Sequence, residues 1–149
     1  MLGTLLRLTA LAAALSLAPA TAVAAPNVHH LSGGGTASIS QVAMNVSVDG
    51  SGSASGSFEC LMAGRSGFVL GDFGLVHNMI VHATPSTGSV AGSVVTFAGT
   101  ARLTLDGRQK MGVHVQVWAD VATQSFQLTV VEVGTMPVET LASGHITMS

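Results

Sequence analysis

Val113, Val115, Val117, Ala119 and Val121 stand at every second position of one short stretch, with His114, Gln116, Trp118 and Asp120 between them. Successive side chains of a strand point to opposite faces, so this rhythm separates apolar from polar only on a pleated strand. On a helix it would scatter the apolar residues around the whole circumference. The same period recurs along the chain. Val42, Met44, Val46 and Val48 alternate with Ala43, Asn45 and Ser47, and Phe58, Cys60 and Met62 alternate with Glu59 and Leu61. Phe126, Leu128 and Val130 form another stripe, and Ile146 and Met148 share a face near the end. No stretch carries the Glu/Lys-rich outer face of a surface helix.

Turn chemistry punctuates these runs. Asp49-Gly50 opens a Gly/Ser loop reaching about Ala54, which makes the flanking runs a hairpin. Asp106-Gly107, between two alternating runs, is the strongest hairpin signal. Pro85-Ser86-Thr87-Gly88 reads as a turn between a strand over Leu75–Ala83 and one over Ser89–Phe97. Thr100–Leu105 follows, joined around Gly99. Gly64–Gly74 reads as a longer loop and Gly134–Glu139 as a connector before a last strand, Leu141–Met148. About eight or nine short strands at roughly 8–12-residue spacing predict an all-β fold. Without crossover helices the sheet must be antiparallel. The expectation is an antiparallel β-sandwich, with a closed or partly closed β-barrel as the alternative. Val, Met, Leu and a few Phe are mid-sized side chains that can fill such a core without a cavity.

The first 24 residues have a different character. Arg7 precedes an apolar run from Leu8 to Ala18, Pro19 interrupts it, and Ala22-Val23-Ala24 supplies the small residues that a signal peptidase reads. This is the pattern of a secretory signal peptide cleaved after Ala24. The run is too short to span a bilayer as a stable helix. The expected organisation is a signal peptide over residues 1–24 and a single all-β domain over 25–149, of about 125 residues and with no membrane-spanning helix.

That domain holds Arg65, Arg102, Arg108 and Lys110 against Asp49, Glu59, Asp72, Asp106, Asp120, Glu132 and Glu139. It is mildly acidic and lacks the clustered cations that phosphate backbones require, so nucleic acid is excluded as a partner. Anionic membrane surfaces are disfavoured for the same reason. Cys60 is the only cysteine, so no intramolecular disulfide staples the fold. It reads as a buried thiol, the other reading being an intermolecular disulfide. The strands lack the lysines that guard sheet edges, so self-association through an edge strand is expected.

Gly33-Gly34-Gly35-Thr36 leads an early strand, a hairpin spans Asn45 to Phe58, a central strand pair lies around Val94–Leu105, and the chain closes on Ser143-Gly144-His145-Ile146-Thr147-Met148. In these features it resembles small secreted bacterial β-sandwich domains of uncharacterised function, found alone or appended to larger exported proteins. Such domains often begin on a Gly-Gly-Gly-Thr strand and end on a Gly-Gly-Asn-Ile strand; here the Gly-Asn position is Gly144-His145. The resemblance implies the fold and brings no catalytic residues.

The chain offers little chemistry by motif. Gly64-Arg65-Ser66-Gly67 is not a nucleophile elbow, and no spacing selects a Ser–His–Asp set. Pairs could be drawn from Glu59, Asp72, Asp120, Glu132 and Glu139, but nothing in their spacing favours one. The histidines, His29, His30, His77, His82, His114 and His145, show no metal-ligand spacing; a site would have to be assembled across strands, for instance from His82 and His114. Catalytic residues, metal ligands and cofactors are therefore none by this reading. The candidate surface is the polar face of the valine-striped strand. His114, Gln116, Trp118 and Asp120 bring an imidazole, an amide, the lone indole and a carboxylate together, a set that can stack on or anchor a ligand. The expected function is a secreted, non-enzymatic module at the cell exterior, binding a protein or glycan of the cell envelope or shaping it. The alternative is a small secreted metal-binding protein or hydrolase using dispersed His and Asp/Glu.

Overall fold

The computed structural model of the chain describes residues 27–64 and 78–149. The signal-peptide pattern with its cleavage site, Arg65, Asp72, His77 and the first residues of the strand expected from Leu75 lie outside the described residues.

The described residues form nine strands: β1 (Val28–Ala37), β2 (Gln41–Asp49), β3 (Ala54–Met62), β4 (Met79–Ala91), β5 (Val94–Leu105), β6 (Arg108–Asp120), β7 (Ser125–Val130), β8 (Gly134–Thr135) and β9 (Glu139–Met148). No described residue is helical. All pairings are antiparallel. The strands form one sheet in the order β6-β5-β4-β3-β2-β1-β9-β7-β8, and a further pairing of β6 with β7 brings the ladder back on itself. The expected antiparallel all-β architecture is thus present, as a single sheet whose pairings run in a ring.

The alternating stripes line one apolar cluster. Val113, Val115, Val117 and Ala119 of β6, Phe126, Leu128 and Val130 of β7, and Met44, Val46 and Val48 of β2 are all buried in it, with Phe58, Cys60 and Met62 of β3. Phe58 meets Phe97 of β5 edge to face, with centroids 5.7 Å apart. The outer faces carry the Ser, Thr, Gln and His that alternate with them.

Two features of the chain path differ from the turn chemistry. Pro85–Gly88 is no turn: β4 runs through it, and the pairing register shifts between Pro85 and Thr87, where a bulge takes up Ser86. A bulge tolerates proline because the ladder is already interrupted there. Gly99, which stands opposite Pro85, lies within β5 rather than between two strands. The reversal falls instead at Gly92-Ser93, with Ala91 paired to Val94. Asp106-Gly107 does reverse the chain, with φ of 49° and 80°; positive φ at both centres is the signature of a type I′ turn.

Close strand approach is fixed at β1 and β9. A Cβ on Gly35 would collide with the Ser143 carbonyl oxygen, and one on Gly144 with that of Gly34. The glycines noted in the sequence at both ends of the chain therefore face each other, Gly35 opposite Gly144, and serve one junction.

Candidate functional site

Strand β6 is central to its part of the sheet, paired to β5 on one side and β7 on the other. Its inward residues are the valine stripe, so His114, Gln116, Trp118 and Asp120 stand on the outer face. Register supplies their neighbours. Trp118 lies between Thr96 of β5 and Gln127 of β7, and Gln116 between Ala98 and Thr129. One strand further, Ser89 stands opposite Thr96 and Thr87 opposite Ala98. Together these side chains line a groove of about 420 Å³ across β4, β5, β6 and β7. No lining residue is ionisable.

The four sequence-predicted residues divide into two pairs. Gln116 and Trp118 line the groove, while His114 and Asp120 do not. His114 is held by Glu132: its backbone N–H donates to the carboxylate at 2.9 and 3.1 Å, and its Nδ1 lies 2.7 Å from Oε1. The hydrogen bond from His114 holds the Glu132 carboxyl below the usual glutamate range. Asp120 belongs to the β6–β7 turn. It accepts from the Thr123 hydroxyl at 2.8 Å and from the Ala122 N–H at 3.0 Å. The hydroxyls of Ser93 and then Thr123 hold its carboxyl below the usual aspartate range.

The polar groups in the groove are unequally committed. The Ser89 and Thr96 hydroxyls bond each other at 2.7 Å, Gln127 Nε2 donates to the Met136 carbonyl at 2.9 Å, and Thr129 donates to Thr135 at 3.0 Å. The Thr87 hydroxyl, the Gln116 amide and the Trp118 indole N–H have no side-chain hydrogen-bond partner among the described residues. Trp118 is half-buried. Thr87, Ser89, Thr96, Gln127 and Thr129 went unnoticed in the sequence, because membership of this face depends on register between strands and not on any local motif.

The described histidines do not assemble into one cluster. His82 lies 3.2 Å from Glu59 on the neighbouring strand, and His114 is taken by Glu132. Among the described residues no three His, Cys, Asp or Glu side chains form a group suited to a metal ion.

A second polar cluster lies inside the fold and has no signal in the sequence. Glu139, only 1 % exposed, accepts from the backbone N–H groups of Ile39 and Ser40 at 2.9 and 3.1 Å and from the Ser40 hydroxyl at 2.9 Å. The start of β9 thereby clasps the β1–β2 connection. Cys60 is buried nearby, and burial pushes its thiol up to about 12, against a smaller opposing effect of the Ser40 hydroxyl. Such a thiol stays protonated at neutral pH, the form that is not nucleophilic. Its burial also keeps it from an intermolecular disulfide while the chain is folded.

No protein-family model, curated protein or solved structure matches the chain.

Proposed function

We propose that the chain is exported through its N-terminal segment and acts outside the cytoplasm as a non-enzymatic binding module, with the Trp118 groove as its ligand seat. The observation that carries this reading is the groove itself. A half-buried indole shares it with an amide and a hydroxyl that have no hydrogen-bond partner among the described residues. Recognition sites combine an apolar surface with a few convergent polar groups in this way. The titratable groups nearest to it, His114 with Glu132 and Asp120, serve turns and strand ends. This favours binding over acid–base chemistry. Export is supported by Arg7, the apolar run after it and Ala22-Val23-Ala24. A protein or glycan of the cell envelope is the partner class that such a location would offer.

Two measurements test the reading. Expression of the full chain with N-terminal sequencing of the exported product is expected to give a start at Ala25; retention inside the cell with Met1 intact would overturn export. Trp118 is the only tryptophan, and the chain has no tyrosine, so its fluorescence reports on the groove alone. Titration with fractionated envelope extract is expected to change that emission saturably. An unchanged spectrum across all fractions would overturn the groove as a ligand seat.

A further inference from the structure

We infer that the Trp118 groove takes a neutral saccharide, its ring laid against the indole and its hydroxyls met by Gln116 and Thr87. The inference rests on the reading of the groove as a ligand seat. It narrows that reading by chemistry.

Charge comes first. The groove has no ionisable lining residue, so an anionic or cationic ligand would be desolvated there with no counter-charge, at a cost that opposes binding. The matching ligand is uncharged. A purely apolar ligand also fits badly, because it would cover the Gln116 amide, the Thr87 hydroxyl and the indole N–H and leave their hydrogen-bonding capacity unmet. The ligand must therefore offer donors and acceptors in quantity. Gln116 brings both an NH₂ and a carbonyl, and a hydroxyl brings a donor and acceptor on one atom. Vicinal hydroxyls answer both.

The sheet argues against an uncharged peptide. Peptides bind sheets chiefly by adding a strand to an open edge. At Gln116 and Trp118 β6 is paired to both β5 and β7, so the backbone beneath these side chains has no ladder to offer. Only the β4 rim at Thr87–Ser89 pairs on one side, apart from an isolated bridge at Thr87. What remains on this face is side-chain chemistry: the flat indole, and hydroxyl and amide groups around it. A pyranose presents one face of C–H groups and a rim of hydroxyls, which is the complementary arrangement. With one aromatic residue in place of a platform of several, affinity should be weak, with a Kd on the order of 1 mM.

The test is a fluorescence titration of the purified mature protein with maltotriose, cellotriose and mannotriose, alongside an uncharged Ser/Thr/Ala peptide. The expected result is a saturable change in Trp118 emission with at least one trisaccharide. Its midpoint should be indifferent to added salt and should weaken at least tenfold in Gln116→Ala. Gln116 is exposed, so this variant folds, and circular dichroism checks that it does. An undiminished response in Gln116→Ala overturns the inference. So does silence with all three sugars. If the peptide alone responds, the saccharide is overturned and the groove stands as a ligand seat; if no probe responds and envelope fractions are also silent, both readings fall.

Discussion

Glu139 shows how one side chain can hold a fold that has no disulfide. It is buried, and its carboxyl accepts from Ile39 N–H, Ser40 N–H and the Ser40 hydroxyl. Those donors sit where no strand can pair them, in the bend between β1 and β2. Buried donors without acceptors cost about 1–3 kcal/mol each. Glu139→Ala is accordingly expected to lower stability by about 3 kcal/mol or more, read as a drop in the urea midpoint at unchanged slope. Glu139→Gln keeps the shape and one acceptor oxygen and should lose less than the alanine variant. Equal stability of all three forms would show that the bend finds its partners elsewhere. Nothing in the sequence marks Glu139, because its donors lie about a hundred residues away and enter only through folding. The same holds for Thr87 and Gln127 in the groove. Gln116 and Trp118, in contrast, were legible from one strand's alternation, since position on a face is a local property.

At the scale of single elements, three carboxylates secure turns and strand ends. Asp49 accepts at its Oδ1 from the Ser51 hydroxyl and N–H and from the Ser53 N–H, which closes the β2–β3 hairpin. The Ser51 hydroxyl is the chief reason its carboxyl is held below the usual aspartate range. Asp120 and Glu132 are lowered in the same way in the β6–β7 turn and beyond β7. All three therefore bind protons less readily in the folded chain than in the unfolded one. Their contribution is present above the unfolded carboxylate pKa and is lost as pH falls through the lowered native values. Tm should hold steady near neutrality and decline in the acid range below about pH 4; a thermal melt series shows it, and Asp49→Asn should flatten part of that decline. A series with no acid limb would contradict it. Glycines divide similarly by context. Gly92 has a φ of 61° and open space around it, so Gly92→Ala should cost only about 1–2 kcal/mol of backbone strain. Gly35→Ala drives a methyl into the Ser143 carbonyl and should cost about 3 kcal/mol or more as β1 and β9 separate. Comparable urea midpoints for the two variants would refute the close approach. Alternation made most strands legible. It misplaced one reversal because Pro85-Ser86-Thr87-Gly88 has turn chemistry, and only the register with Gly99 reveals that those residues are spent on a bulge.

Over the whole molecule, the ring of pairings has a weak seam at β7 and β9. β7 meets β9 through only two residue pairs, Ser125 with Thr140 and Phe126 with Glu139. Beyond them β9 has β1 on one side and, among the described residues, no strand on the other. Gln124 partly substitutes for the missing strand. Its Nε2 donates to the Ile146 carbonyl at 3.0 Å and its Oε1 accepts from the Ile146 N–H at 2.9 Å, as a paired residue would. To do so it adopts a φ of 54°, a conformation that costs a non-glycine residue about 1–3 kcal/mol and persists only where its surroundings demand it. The neighbouring stretch Ala142–His145 is exposed and carries no lysine. An exposed edge free of lysine is a template for a second chain, so self-association is expected here. Sedimentation velocity over a rising concentration series should show a monomer moving toward dimer. Ser143→Lys, which sets a charge on that edge, should hold the protein monomeric. Gln124→Ala, which removes the substitute pairing, should strengthen association. If the unaltered protein stays monomeric throughout and Gln124→Ala does too, the Gln124 amide is not what guards the edge, and β7 and β9 are sealed by side-chain packing instead.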